Sequence, residues 1–122
     1  MINPETGIFE NLKACDKAEF EKMAGIFVEG EEIINAFKSG RDGVLFTNKR
    51  VISLNVQGMT GKKQLVESIP YARVLNYSVE SAGMLDSKNY LEICLANKTF
   101  KFELLGKCEL TKLYQTISGF IL

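Results

Sequence analysis

From about position 31 to position 104 apolar and polar residues alternate, and Gly, Asn, Ser or Pro breaks the alternation at short intervals. "EEIINAFK", "GVLFT", "RVISLNV", "KQLVESI", "RVLNYSV", "NYLEICL" and "TFKFEL" read as seven strands, because a period of two puts every second side chain on one face of a sheet. Leu75, Tyr77 and Val79 share one such face, as do Leu91, Ile93 and Leu95, and again Phe100, Phe102 and Leu104. Short connections make neighbouring strands antiparallel. Pro70 has no N–H to give to a ladder and marks the point where the chain leaves one sheet for the next.

The two ends of the chain follow another rhythm. Asp16 and Glu19 resemble a capping box, Phe20, Met23 and Phe27 then recur at helical spacing, and Ile8, Phe9 and Leu12 predict a shorter helical turn before them. Gly25 weakens the end of that helix and Gly30 closes the connection. At the other end, "GKCELTKLYQTISGFIL" sets Leu110, Leu113, Tyr114, Ile117 and Ile121 on one stripe. One helix of this length is not stable alone, so it closes an opening between the sheets. The expected architecture is mainly β. A helical segment spans 1–29, and a seven-stranded antiparallel half-barrel capped by a C-terminal helix spans 30–122, the two forming one compact domain.

Composition then removes several classes of chemistry. The 122 residues include no histidine, which excludes Ser-His-Asp and Cys-His machinery and makes most zinc sites improbable. No P-loop, G-x-G-x-x-G or D-x-D-x-D-G pattern occurs. Cys15, Cys94 and Cys108 are odd in number and widely spaced, which reads as reduced thiols rather than a disulfide framework. No catalytic residues, metal or cofactor are expected. No apolar run approaches the roughly 20 residues that cross a bilayer, and the start lacks the order of a signal peptide, so a cytoplasmic protein is expected.

The formal net charge is zero, yet the charges are unevenly placed. Positions 1–35 hold eight acids and three bases, whereas positions 36–73 hold seven bases and two acids. The balanced total and the lack of aromatic residues interleaved with bases argue against nucleic acid. In an up-and-down meander Lys38, Arg41, Lys62 and Lys63 share one rim, and Lys49, Arg50 and Arg73 lie near the opposite end. Three readings of these cations stay open: solvated loop charge, an anion site on the first rim, and pairing with the acidic N-terminal segment or a neighbouring subunit. Gly58 and Gly61 predict a tight turn, with Met59 at its tip; Met84 and Leu85 form a similar apolar tip. The terminal "FIL" suits burial on the subunit's own N-terminal helices or contact with another subunit.

"VEGEEI" leading to "RDGVLFTNKRVI", then "QGMTGKK", "SIPYARV" and "SVESAGMLD", resembles the bacterial pleckstrin-homology (PH) family from about position 25 to the end. The resemblance implies a seven-stranded PH-type barrel with a closing helix, and assembly into rings of identical subunits through strand edges. It brings no catalytic residues and no ligand. Eukaryotic relatives that bind inositol lipids carry a K-x(n)-[KR]-x-R pattern on the first hairpin. This chain departs from it, with Lys49 and Arg50 adjacent and Asp42 beside Arg41. The function expected is a non-catalytic interaction module that self-associates, possible partners being a protein or, weakly, an anionic membrane. The alternative is an adaptor for anionic headgroups or small anions at the loop rim.

Overall fold

The computed structural model describes residues 2–3, 7–81, 88–106 and 110–122. Met84, Leu85 and Cys108 lie outside the described residues. All seven expected segments form strands: β3 (Ile33–Ser39), β4 (Asp42–Thr47), β5 (Arg50–Gln57), β6 (Lys63–Pro70), β7 (Asn76–Glu80), β8 (Lys88–Cys94) and β9 (Thr99–Leu105). Two more precede them, β1 (Ile2–Asn3) and β2 (Ile8–Cys15), and the chain closes with helix α1 (Leu110–Ile121).

The expected helical turn at Ile8, Phe9 and Leu12 is therefore corrected to a strand, and β2 lies inside the sheet. The strand order is β6-β5-β4-β3-β2-β9-β8-β7, with β1 paired to β2 off that path. Through Lys13, Ala14 and Cys15, β2 runs antiparallel to β3; through Ile8, Phe9 and Leu12 it runs parallel to β9. The register on β9 shifts between Phe9 and Leu12, where Asn11 has a left-handed φ of 58°, and the change of partner follows between Leu12 and Lys13. That bulge bends one strand across both halves of the barrel and turns Phe9 and Leu12 to the same interior. Every other pairing along the order is antiparallel, as expected.

Two apolar cores follow from the alternation. Phe37, Val44, Phe46 and Val51 face the barrel interior, where they meet Phe9, Leu12, Leu91, Ile93, Phe100, Phe102 and Leu104. Leu113 and Ile117 of α1 close that core, with Leu110 and Ile121 packed at its margin. Each such fully buried side chain contributes about 1.5–3 kcal/mol. The other faces of β3, β4 and β5 present Ala36, Leu45, Ile52 and Leu54, which a second layer covers with Phe20, Met23, Ile26 and Phe27. β4 is accordingly buried on both faces and reads as a continuous apolar run.

The covering layer is not the expected α-helix. Lys17–Ile26 forms 3₁₀ turns interrupted at Met23 (φ −90°, ψ 22°). Phe20 lies over Gly43 so closely that a Cβ there would come within 2.6 Å of its ring. Pro70 ends β6 as expected, and a 3₁₀ turn at Tyr71–Arg73 carries the chain across to β7 at the far side of the sheet. Leu75 departs from its predicted face: it precedes β7 and is largely exposed.

Candidate functional site

The β4–β5 turn and the exit from β6 meet at one end of the barrel. Arg50 donates through Nε and Nη2 to the two carboxylate oxygens of Glu31 at 2.9 Å each, through Nη1 to Ser68 Oγ at 2.8 Å, and through Nη2 to the Ile26 carbonyl. Glu31 also accepts from Thr47 Oγ1 at 2.7 Å and from the Val28 N–H at 3.1 Å. Its side chain is 0% exposed, against 21% for Arg50. The Arg50 hydrogen bonds hold the Glu31 carboxyl at about 2, against its ordinary 4.5, and raise Arg50 in turn. Tyr71 donates from its hydroxyl to the Thr47 carbonyl at 2.7 Å, and burial pushes its phenol above the ordinary range. Of the three bases expected at this end, Arg50 is locked into this network, while Lys49 and Arg73 are exposed.

At the opposite end the β3–β4 and β5–β6 turns come together. Arg41 donates from Nη1 to the Gly58 carbonyl at 2.8 Å, linking the two turns. Lys38 donates to Glu19 of the covering layer at 2.7 Å. That bond lowers the Glu19 carboxyl and raises the Lys38 ammonium. Beside them burial pushes the Cys15 thiol up to about 11, with Glu19 adding to the effect, so the thiol stays protonated at neutral pH. Lys38 and Arg41 line a cleft of about 290 Å³ with Phe20, Met23, Leu54 and Val56, whose rim also holds Glu19 and Asp42. A cleft of about 550 Å³ is lined by Asn11, Ser39, Gly40, Arg41, Asp42, Asn55 and Val56. Asp42 accepts from the Val56 N–H at 2.8 Å and is buried. Lys62 and Lys63 are exposed and line neither cleft.

The structure thus places both groups of cations at the ends the meander predicts, and divides each. Arg50 and Lys38 pair with acids from the N-terminal third, Arg41 ties two turns together, and Lys49, Lys62, Lys63 and Arg73 face solvent. Sequence reading missed Glu31, Thr47 and Ser68, which complete the Arg50 network; partners 16 to 19 residues away leave no local pattern.

Two further features lie at the edges of the sheet. Among the described residues neither β6 nor β7 pairs with a second strand on its outer side. Leu65 and Val66 of β6 are each 38% exposed, and Leu75 at the entry to β7 is 70% exposed. Among the described residues no helix is long and apolar enough to cross a membrane.

Comparison with known proteins places this arrangement. Two curated relatives come from Bacillus subtilis strain 168. Uncharacterized protein YjqA is 45% identical over 91 residues, covering 74% of this chain and 73% of its own. Uncharacterized protein YozO is 30% identical over 112 residues, covering 92% and 95%. A crystal structure of a DUF1696 family protein with a pleckstrin-homology domain, from Shewanella loihica PV-4, superposes with a TM-score of 0.78 at 30% identity, covering 92% of this chain and 98% of that one. A pleckstrin homology domain from Shewanella amazonensis SB2B gives 0.66 at 31% identity, covering 88% and 90%. The description of the bacterial PH domain family matches residues 5–121, and the chain belongs to that family.

Proposed function

We propose that this chain is a non-catalytic interaction module that self-associates through its two open strand edges and presents its loops to a partner. The observation that supports this reading is the state of the edges. Soluble proteins blunt an edge strand with charges, proline or a bulge. β6 carries Lys63, Glu67, which pairs with Lys98 at 3.6 Å, and Pro70, but Leu65 and Val66 stand between the first two, one on each face. Laying the β6 edge of one copy on the β7 edge of the next continues the sheet and covers Leu65, Val66 and Leu75. Such a contact is heterologous, so it closes into a ring when the rotation per copy permits. Glu31, ionised and bonded to Arg50 at neutral pH, is suited to holding structure rather than to exchanging protons.

Light scattering on the purified chain tests this. The wild type is expected at a multiple of 13.7 kDa, and Leu65→Glu with Val66→Glu at the monomer mass. A monomeric wild type at high concentration overturns the reading.

A second reading, binding of small anions or anionic headgroups at the loop rim, is favoured by Lys62 and Lys63, which are exposed beside a turn already linked to Arg41. Lys38 and Arg41 are engaged with Glu19 and Gly58, which leaves that rim two open cations rather than four. Titration with soluble inositol phosphates is expected to show binding that Lys62→Glu with Lys63→Glu removes. Equal binding by both proteins, or by neither, rejects the site.

A further inference from the structure

The covering layer holds a cleft of its own. It has a volume of about 430 Å³ and is lined by Lys17 and Glu21 from the 3₁₀ turns and by Phe27, Glu31, Glu32 and Ile33 from the segment that returns to β3. No residue of β6, β7 or the β3–β4 and β5–β6 turns contributes to it. The return segment is pinned to the β4–β5 turn. The Glu32 N–H donates to Asn48 Oδ1 at 2.8 Å, the Asn48 N–H donates to the Glu32 carbonyl at 3.0 Å, and Asn48 Nδ2 donates to the Gly30 carbonyl at 3.0 Å. The Glu31 carboxylate belongs to the fold, through Arg50 and Thr47. Glu21 and Glu32 differ from it: both are exposed, and among the described residues neither carboxylate has a hydrogen bond or an ion pair. Phe27 and Ile33 are half-buried, packed on the second core by part of their surface and open on the rest.

We infer that this cleft receives an arginine side chain from a protein partner: the guanidinium pairs with Glu21 and Glu32 while the aliphatic stem lies on Phe27 and Ile33. The charge of the site favours a cation. Positions 1–35 carry eight acids and three bases; Glu19 and Glu31 answer Lys38 and Arg50 within the fold, whereas Glu21 and Glu32 answer no base there. Lys17 is the one base in the lining against three acids, one of them already paired. A bare metal ion fits poorly, because among the described residues no three potential ligands converge and Phe27 and Ile33 supply none. A long side chain with an apolar stem and a charged head matches apolar walls beside carboxylates. Arginine suits the site better than lysine, since its planar fork donates to carboxylates in parallel and stacks on an aromatic ring. The pinned return segment means that little ordering opposes binding. This surface is separate from the strand edges, so the inference stands whether or not the chain self-associates.

An NMR titration of the full chain, following backbone amides, tests the inference with the capped tripeptide acetyl-Gly-Arg-Gly-amide. The same peptide with citrulline in place of arginine is the neutral isostere. The arginine peptide is expected to move the amides of Lys17, Glu21, Phe27 and Ile33 and to leave those of β7, β8 and β9 in place. The citrulline peptide is expected to bind roughly tenfold more weakly. Glu21→Gln with Glu32→Gln, at two exposed positions, is expected to weaken the arginine peptide by about tenfold, and Phe27→Leu by about threefold. A wild type whose amides do not move overturns the inference, as does equal binding of the two peptides or wild-type affinity in the double glutamine variant. Of this chain's own three arginines, Arg41 and Arg50 are bonded within the fold and Arg73 is exposed. Shifts at the cleft that appear on concentrating the chain without peptide and vanish in Arg73→Gln also overturn the inference, and give the cleft to a second copy.

Discussion

Arg50 and Lys62 are both basic residues at turns of the same barrel, but they meet opposite surroundings. Arg50 bonds to both oxygens of Glu31, to Ser68 and to the Ile26 carbonyl, and so fastens the covering layer to the ends of β4, β5 and β6. Lys62 stands in solvent next to a glycine-bounded turn with an exposed methionine. The acid that each can reach makes the difference. The chain folds its N-terminal third back over one sheet face, which delivers Glu31 to Arg50 and Glu19 to Lys38 and, among the described residues, brings no acid into an ion pair with Lys62 or Lys63. Both ends carry bonds that tie the fold together, but only the second also keeps the neighbouring Lys62 and Lys63 exposed.

Removing the Arg50 guanidinium should break this contrast most sharply. Arg50→Ala leaves Glu31 shielded without its cation, which is expected to cost about 3–5 kcal/mol in urea unfolding; a loss below about 1 kcal/mol would mean that this end is held by other contacts. Acid should reach the same pair more gradually. The folded carboxyl titrates near 2 instead of 4.5, so its stabilisation is complete above 4.5 and fades as pH falls toward 2. The shift corresponds to about 3 kcal/mol. The stability difference between wild type and Glu31→Gln should therefore be constant near neutral pH and shrink below about 4.5. A pH-independent difference would contradict the assignment.

Gly43→Ala tests how the covering layer is seated. A methyl at this position strikes the Phe20 ring, and the expected cost is about 1–3 kcal/mol, with near-ultraviolet signals of the barrel aromatics retained. Lys62→Glu with Lys63→Glu should have the smallest effect on stability, within about 0.5 kcal/mol in the same unfolding assay, because neither side chain supports the fold. A large loss there would erase the distinction between the two ends.

Alternation made β7, β8 and β9 legible because Tyr77 and Val79, Leu91 and Ile93, and Phe100, Phe102 and Leu104 keep one face on the interior, whereas β6, in which only Ile69 is buried, was legible from the Gly61 and Pro70 that bound it. β2 was not legible for a specific reason. Asn11 takes a left-handed conformation, the strand bulges, and Phe9 and Leu12 point inward three positions apart, a spacing that imitates a helix. Asn is among the few residues that enter that region readily. The covering layer kept its helical rhythm of Phe20, Met23 and Phe27, but two interrupted 3₁₀ turns serve the same face. The ends of the barrel were predictable from strand order, and the uneven charge hinted that N-terminal acids meet later bases. Which base meets which acid depends on how the covering layer folds back, and no local pattern encodes that.

Hydrogen exchange at two protein concentrations examines the self-association most directly. Amides on the outer sides of Lys63–Pro70 and Asn76–Glu80 are expected to be protected in the concentrated sample and to lose protection on dilution, while those of β4 stay slow throughout. Outer-edge amides that exchange at the unprotected rate at both concentrations would contradict assembly through the strand edges.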